Sequence, residues 1–227
     1  RSVSRGLGDV YKRQTLDEYI SRIEGDGKTI YYITGDDVKV LSNNPQLEAF
    51  KAKGIEVLLL TDPIDEFWPQ VLPNYKGYAI KHISQAEVDL NLERNDKKAD
   101  EGSLKKLTDL MTEMFKEEVG KVTTTEKLTT SPASLTVENG QMSLHLERLM
   151  RNHQQQTVFA STRILELNPY HPLIIKLADM TADEANRAKV EEVAKLLLDQ
   201  AKIAEGEAIN DPSFYISKMS DYILEAM

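Results

Sequence analysis

No cysteine occurs among the 227 residues, which excludes disulfides and thiolate zinc sites and suits a reducing compartment. Long hydrophobic runs are missing as well. No apolar stretch approaches the roughly 18 residues of a membrane span, and a cytoplasmic location is expected. Positive charge is scarce: 28 Lys and Arg face 37 Asp and Glu, a net charge of −9. Non-specific nucleic-acid binding needs a basic face and is not expected. The sequence also has no GxSxG, Walker A loop, GxGxxG or HExxH, the patterns that hold nucleophiles, phosphates and zinc. Its four histidines, His82, His145, His153 and His171, are scattered, so no metal site is expected. His145 and His153, eight residues apart, read most simply as partly exposed polar side chains.

What is present is an ordinary globular composition, 41% hydrophobic and 29% charged, long enough for one or two domains. Val57 to Leu60 is an unbroken apolar run, the pattern of a strand covered on both faces. Asp62-Pro63 ends it with the residues of a helix cap and first turn, and Asp65 and Glu66 add negative charge there. Upstream, Thr15 and Glu18 form a capping box ahead of Leu16, Tyr19 and Ile20, and Ile30 to Thr34 reads as a strand. Pro45 opens a helix that Gly54 closes, and Tyr78 to Ile83 returns as a strand. Helices and strands alternate over residues 15–90, which predicts a small α/β subdomain. Asn91 to Gly102 holds one large apolar residue, Leu92, and reads as a charged linker.

Residues 103–227 read as α+β. A helix is expected over Ser103–Val119, then two antiparallel strands around Ser131-Pro132, a helix from Gln141 to about His153 and a strand over Arg163–Leu167. A long helix over Asp183–Glu205 and a terminal helix from Asp211-Pro212 to Met227 complete the chain. Both final helices carry wide apolar stripes. Val190, Val193, Leu197, Ala201 and Ala204 make one; Tyr215, Met219 and Tyr222, with Phe214, Ile216 and Ile223 beside them, make the other.

The run Leu47–Glu66 resembles the late middle region of the heat-shock protein 90 chaperone family, its bacterial form most closely. Thr15–Tyr19 and Ile30–Gly35 match the same family in order and spacing. Glu166-Leu167-Asn168-Pro169-Tyr170-His171-Pro172-Leu173 and Leu196–Ala201 resemble its C-terminal dimerisation domain. The resemblance covers Thr15 to Met227. Residues 1–14, basic and lacking a signal-peptide core, fall outside it and are expected to be an extension foreign to the fold.

Several expectations follow from the resemblance. Residues 15–90 correspond to the end of the middle domain and residues 103–227 to the dimerisation domain. Family members are ATPases, but ATP and magnesium bind in an N-terminal domain, and the arginine that meets the γ-phosphate lies upstream of Thr15. This chain is therefore expected to hold neither ATP nor metal. The final helices imply a homodimer built on a four-helix bundle, with Val193, Leu197, Ala201, Ala204, Phe214, Tyr215, Met219, Tyr222 and Ile223 at its interface. Clients, unfolded or partly folded proteins, are expected at Phe67, Trp68 and Gln70 and on a stripe of Met142, Leu146, Leu149 and Met150. A methionine-rich stripe more often marks core. Here the flanking Gly140 and the polar run after His153 favour a projecting helix, and methionine adapts to varied apolar partners. Co-chaperones are further candidate partners, except those that read the acidic tail of cytosolic eukaryotic members, because the chain ends at Glu225-Ala226-Met227. Two alternatives stand beside this reading: an α/β hydrolase using Asp62, Asp65 and Glu66, and a structural dimer without clients.

Overall fold

The computed structural model describes residues 3–5, 13–23, 27–85, 94, 96–138, 141–152 and 161–227. Its strands are β1 (Val3–Arg5), β2 (Arg13–Gln14), β3 (Thr29–Thr34), β4 (Val57–Leu60), β5 (Asn74–Tyr75), β6 (Tyr78–His82), β7 (Lys121–Thr124), β8 (Ala133–Val137) and β9 (Arg163–Leu167). Its helices are α1 (Leu16–Ile20), α2 (Val38–Ser42), α3 (Glu48–Ala52), α4 (Trp68–Val71), α5 (Glu101–Met114), α6 (Leu144–Asn152), α7 (Pro172–Met180), α8 (Arg187–Ala204) and α9 (Pro212–Glu225).

The first sheet has the order β2-β1-β4-β3-β6-β5, with β4, β3 and β6 parallel. Parallel strands joined by helices are covered on both faces, and all four residues of β4 are buried. On one face Tyr31, Ile33, Val57 and Leu59 pack with Leu41, Leu47 and Phe50. On the other, Ile30, Leu58, Leu60 and Ile80 pack with Tyr19, and Trp68 lies against them. The Thr15–Glu18 capping box forms as the spacing predicts. Gly54 adopts φ 67°, and the next N–H, of Ile55, donates to Phe50 O. That left-handed stop ends α3 in register with the start of β4.

Within the first fourteen residues, the described strands β1 and β2 belong to the first sheet and were not expected there. β1 pairs antiparallel with β4, Ser4 opposite Leu59, and β2 pairs with β1. A bare edge of β4 would leave backbone donors and acceptors unpaired, and this segment covers it.

The second sheet corrects another expectation. β7 and β8 do not pair with each other; β9 lies between them, parallel to β7 and antiparallel to β8. Eight residues, 125–132, separate β7 from β8, too many for a tight hairpin. One face of this sheet, with Val122, Leu135, Leu165 and Leu167, packs in a single core with Leu107 and Met111 of α5, Ile174 and Leu177 of α7, and Ala194 and Leu197 of α8.

α5 begins at Glu101 under an Asp100 cap, two residues earlier than expected. The described part of the expected linker is held against the domain. The buried Ala99 N–H donates to Pro169 O at 2.9 Å, Lys98 pairs with Glu126 at 3.1 Å, and the Arg94 and Lys98 cations lie over the Tyr170 ring. The rest of residues 91–95 lies outside the described residues. In place of one long helix over Asp183–Glu205, a 3-10 turn at Glu184–Asn186 precedes α8.

Candidate functional site

The turn after β4 builds the most exposed apolar surface near the first sheet. Pro63–Glu66 form a 3-10 turn and Phe67 links it to α4. Asp65 is buried; it accepts the Asp62 N–H at 3.0 Å and the Trp68 indole N–H at 2.7 Å. With its polar edge held, Trp68 half-buries its ring against the sheet, and its neighbours point outward. Phe67 is 48% exposed and Val71 83%, and Ile64 and Leu72 are exposed beside them. Gln70 is exposed too, and its amide donates to Glu66 O at 2.9 Å. Of the residues expected to meet clients here, Phe67 and Gln70 face outward, while Trp68 braces the turn. Ile64, Val71 and Leu72 were missed. The signal for them is the pair Pro69 and Pro73, which limits α4 to one turn, too short to bury all its apolar residues.

Glu66 turns the other way. It is buried and accepts Ser143 Oγ at 3.2 Å, and its Oε1 lies 2.5 Å from His145 Nδ1. His145 Nε2 lies 3.1 Å from Asp36, which also accepts from Arg148 at 2.6 Å. Arg148 donates as well to Glu205 O at 2.7 Å. Burial opposes a charged His145, but hydrogen bonds to Glu66 and Asp36 outweigh it and raise the imidazole pKa. Burial likewise works against an ionised Glu66, and the His145 bond overcomes it and lowers that pKa. The two form an ion pair across the junction of the subdomains. His145 is a partly exposed polar side chain, as expected, but its partners Glu66 and Asp36 were not foreseen. His153 lies outside the described residues.

The hydrolase alternative finds no support at the same point. Asp65 and Glu66 are committed to hydrogen bonds that hold the turn and the junction, and Asp62 is the cap residue of the turn. Among the described residues no group of three or more His, Asp or Glu is placed to hold a metal ion.

Two further contacts cross the junction. The Glu48 carboxylate accepts from the backbone N–H groups of Thr129, Thr130 (2.9 Å) and Ser131 (3.1 Å), and from Ser131 Oγ at 2.5 Å. Glu205 accepts Asn44 Nδ2 at 2.9 Å and Gln46 Nε2 at 3.0 Å, and burial pushes its carboxyl up to about 7.

α6 does not project as expected. From Leu144 to Met150 every side chain is buried or half-buried. Leu146 is buried; Met142, Leu149 and Met150 are half-buried. The cause is Glu147, a charged side chain only 1% exposed. It accepts the Ser161 N–H at 3.0 Å and bonds to Arg163 at 3.1 Å and to Arg151, which draws the helix onto the domain.

The expected dimer residues divide. Leu197 and Ala201 are buried in the chain's own core, and Val193 and Ala204 are half-buried. α9 contributes no buried residue. Phe214, Tyr215, Met219 and Tyr222 are half-buried. Tyr222 donates to Glu192 of α8 at 2.7 Å, and Lys195 of α8 lies over the Phe214 ring. Ile216, Ile223 and Leu224 are exposed, at 64%, 58% and 73%. Helical spacing places these three on the side of α9 opposite Phe214 and Tyr222.

The two subdomains are braced by polar contacts and carry exposed apolar surface. A profile of the family described as "Hsp90 protein" matches residues 8–227, and the chain belongs to that family. Its relatives include proteins named "Chaperone protein HtpG". That of Paramagnetospirillum magneticum is 42% identical over 213 residues, 90% of this chain and 34% of the relative. That of Roseobacter denitrificans is 37% identical over 236 aligned positions, covering 100% of this chain and 37% of the relative. That of Wolbachia pipientis wMel is 34% identical over 220 residues, 93% and 34%. The chain thus spans about a third of the length of these curated relatives. Among the described residues no helix is long and apolar enough to cross a membrane.

Proposed function

We propose that this chain is the C-terminal portion of a bacterial Hsp90-type chaperone, acting in the cytoplasm as a homodimer that holds unfolded or partly folded proteins. The observation that carries this reading is the exposed patch of Ile64, Phe67, Val71 and Leu72 on a turn fixed by the Asp65–Trp68 bond. Exposed apolar residues on a rigid mount mark an interaction site. The half-buried Met142, Leu149 and Met150 supply a second, shallower surface on α6. Leu146 acts as support beneath it, not as a contact.

Dimerisation is assigned to α9, whose Ile216, Ile223 and Leu224 are exposed. On the domain side α9 is held to α8 by the Tyr222–Glu192 hydrogen bond and by Lys195 over the Phe214 ring. Pairing through a two-fold would complete a helical bundle. We assign this chain no ATP, no magnesium and no catalytic step, and leave co-chaperones as partners of the assembled protein. Calorimetric detection of micromolar ATP binding would overturn the first of these assignments.

The test of client holding is suppression of aggregation of a thermally unfolded enzyme by the 227-residue chain. Phe67→Ser with Val71→Ser should weaken suppression at least several-fold with Tm within about 2 °C of the parent, since exposed substitutions perturb stability little. Suppression unchanged in that variant would sink the assignment.

A further inference from the structure

The second sheet has two faces, and only one is core. Side chains alternate along a strand, so Ala133, Leu135 and Val137 of β8 and Leu165 and Leu167 of β9 face α5, α7 and α8. Ser134, Thr136, Ile164 and Glu166 fall on the other face. There they meet not a helix but a cavity of about 270 Å³. Its opposite wall belongs to the first subdomain and includes Phe50 and Ile83. That volume equals roughly nine waters or a molecule of about ten heavy atoms.

Glu166 sits at the centre of this face. It lies on the middle strand, directly between Ser134 of β8 and Thr123 of β7. Among the described residues its hydrogen bond is a single long one, from Ser134 Oγ at 3.5 Å. Ser134 itself is 1% exposed. Among the described residues, the charged groups that line the cavity with Glu166 are Lys127 and Glu138, and Lys127 is exposed. Burial raises the Glu166 carboxyl pKa, with Lys127 opposing it only through space. Glu166 thus leaves most of its acceptor capacity unused among the described contacts, and it lines a half-apolar cavity. Leaving such a group without donors is costly.

We propose that this cavity is a binding site for a small organic cation with N–H donors on an apolar stem, an alkylguanidinium or alkylammonium ion, whose head group bonds to Glu166 and whose stem lies against Phe50, Ile83 and Ile164. A guanidinium suits the site best, because its planar fork can fill both carboxylate oxygens at once. The walls come from both subdomains, so an occupant would stiffen the junction.

The probe is n-butylguanidinium, titrated into the full chain while the methyl resonances of Ile83 and Ile164 are followed by NMR. Saturable shifts of both methyls are expected, absent with 1-butanol at the same concentrations. Glu166→Gln should weaken the interaction at least tenfold with Tm equal to or above that of the parent. Ile164→Phe, which fills the cavity and leaves the carboxylate in place, should also abolish the shifts. Affinity should rise with pH as Glu166 ionises. A short peptide containing one Arg, compared with its norleucine counterpart, separates the two sources of such a cation. Shifts with the Arg peptide identify a polypeptide side chain as the ligand; shifts with n-butylguanidinium alone identify a free small molecule. Non-saturating shifts, equal binding of 1-butanol, or an unaltered affinity in Glu166→Gln would overturn the proposal.

Discussion

His145 Nδ1 lies 2.5 Å from Glu66 Oε1, and this contact joins the turn after β4 to α6. Its two partners shift in opposite senses, His145 up and Glu66 down. A raised His pKa contributes stability that is complete below the ordinary value of 6.5 and is lost as pH rises through the folded value. A lowered Glu pKa contributes stability that is complete above 4.5 and is lost as pH falls through the folded value. The junction is therefore tightest between about pH 4.5 and 6.5. His145→Gln should lower Tm most in that window and least at pH 9. A deficit that does not vary with pH would show that the ring acts through shape alone.

Glu48 should be the strongest single anchor between the subdomains. Hydrogen bonds to a charged group contribute about 1.5–3 kcal/mol, and Glu48 gathers several from one loop. Glu48→Ala is expected to lower unfolding stability by about 2–3 kcal/mol and to speed amide exchange at Thr130 and Ser131. Unchanged exchange at those two amides would mean that the loop keeps its shape unaided.

Glu205 predicts the opposite sign. Its carboxyl is pushed up to about 7 by burial, so the folded chain loses stability as pH rises from the ordinary carboxylate range through that value. Both amide donors, Asn44 Nδ2 and Gln46 Nε2, bond to the same oxygen, which a glutamine would supply equally well. Glu205→Gln should stabilise the protein by about 1–3 kcal/mol at pH 9 and by little at pH 5. A variant less stable than the parent at pH 9 would contradict this account of the group.

The exposed side of α9 should carry self-association. Ile216→Ser with Ile223→Ser removes apolar area that the chain does not use internally. An obligate interface buries on the order of 2,000 Å², so losing two central anchors is expected to give monomers by sedimentation at micromolar concentration, with the far-ultraviolet circular dichroism retained. A dimer of unaltered affinity would place the contact elsewhere.

Local patterns made much of the architecture legible. The run Val57–Leu60, the Thr15–Glu18 box and Gly54 each depend on neighbours within a few positions, and each takes the expected form. Phe67 and Gln70 were expected at a contact surface only through the family resemblance, and no local pattern pointed to them. The failures involve partners distant in sequence. Leu146 and Glu147 are drawn inward by Ser161 and Arg163, and His145 is fixed by Asp36 and Glu66 from the other subdomain. No periodicity within a helix encodes such pairings. Apolar stripes on α8 were equally ambiguous: Leu197 and Ala201 look alike whether they face a partner or their own core, and they face the core.

The position of β9 between β7 and β8 also bears on how the chain is made. On the ribosome, β7 and β8 emerge well before the strand that joins them, because β9 ends only at Leu167. Neither can complete its ladder with the other in the meantime. Pairing that waits for distant chain is slow and leaves strand edges open to wrong partners. The nascent chain thus passes through a stage in which it exposes the unpaired edges of an unfinished sheet, and stalling synthesis just before Arg163 should make the product prone to aggregate, whereas stalling it beyond Ala204, once α8 has been made, should not.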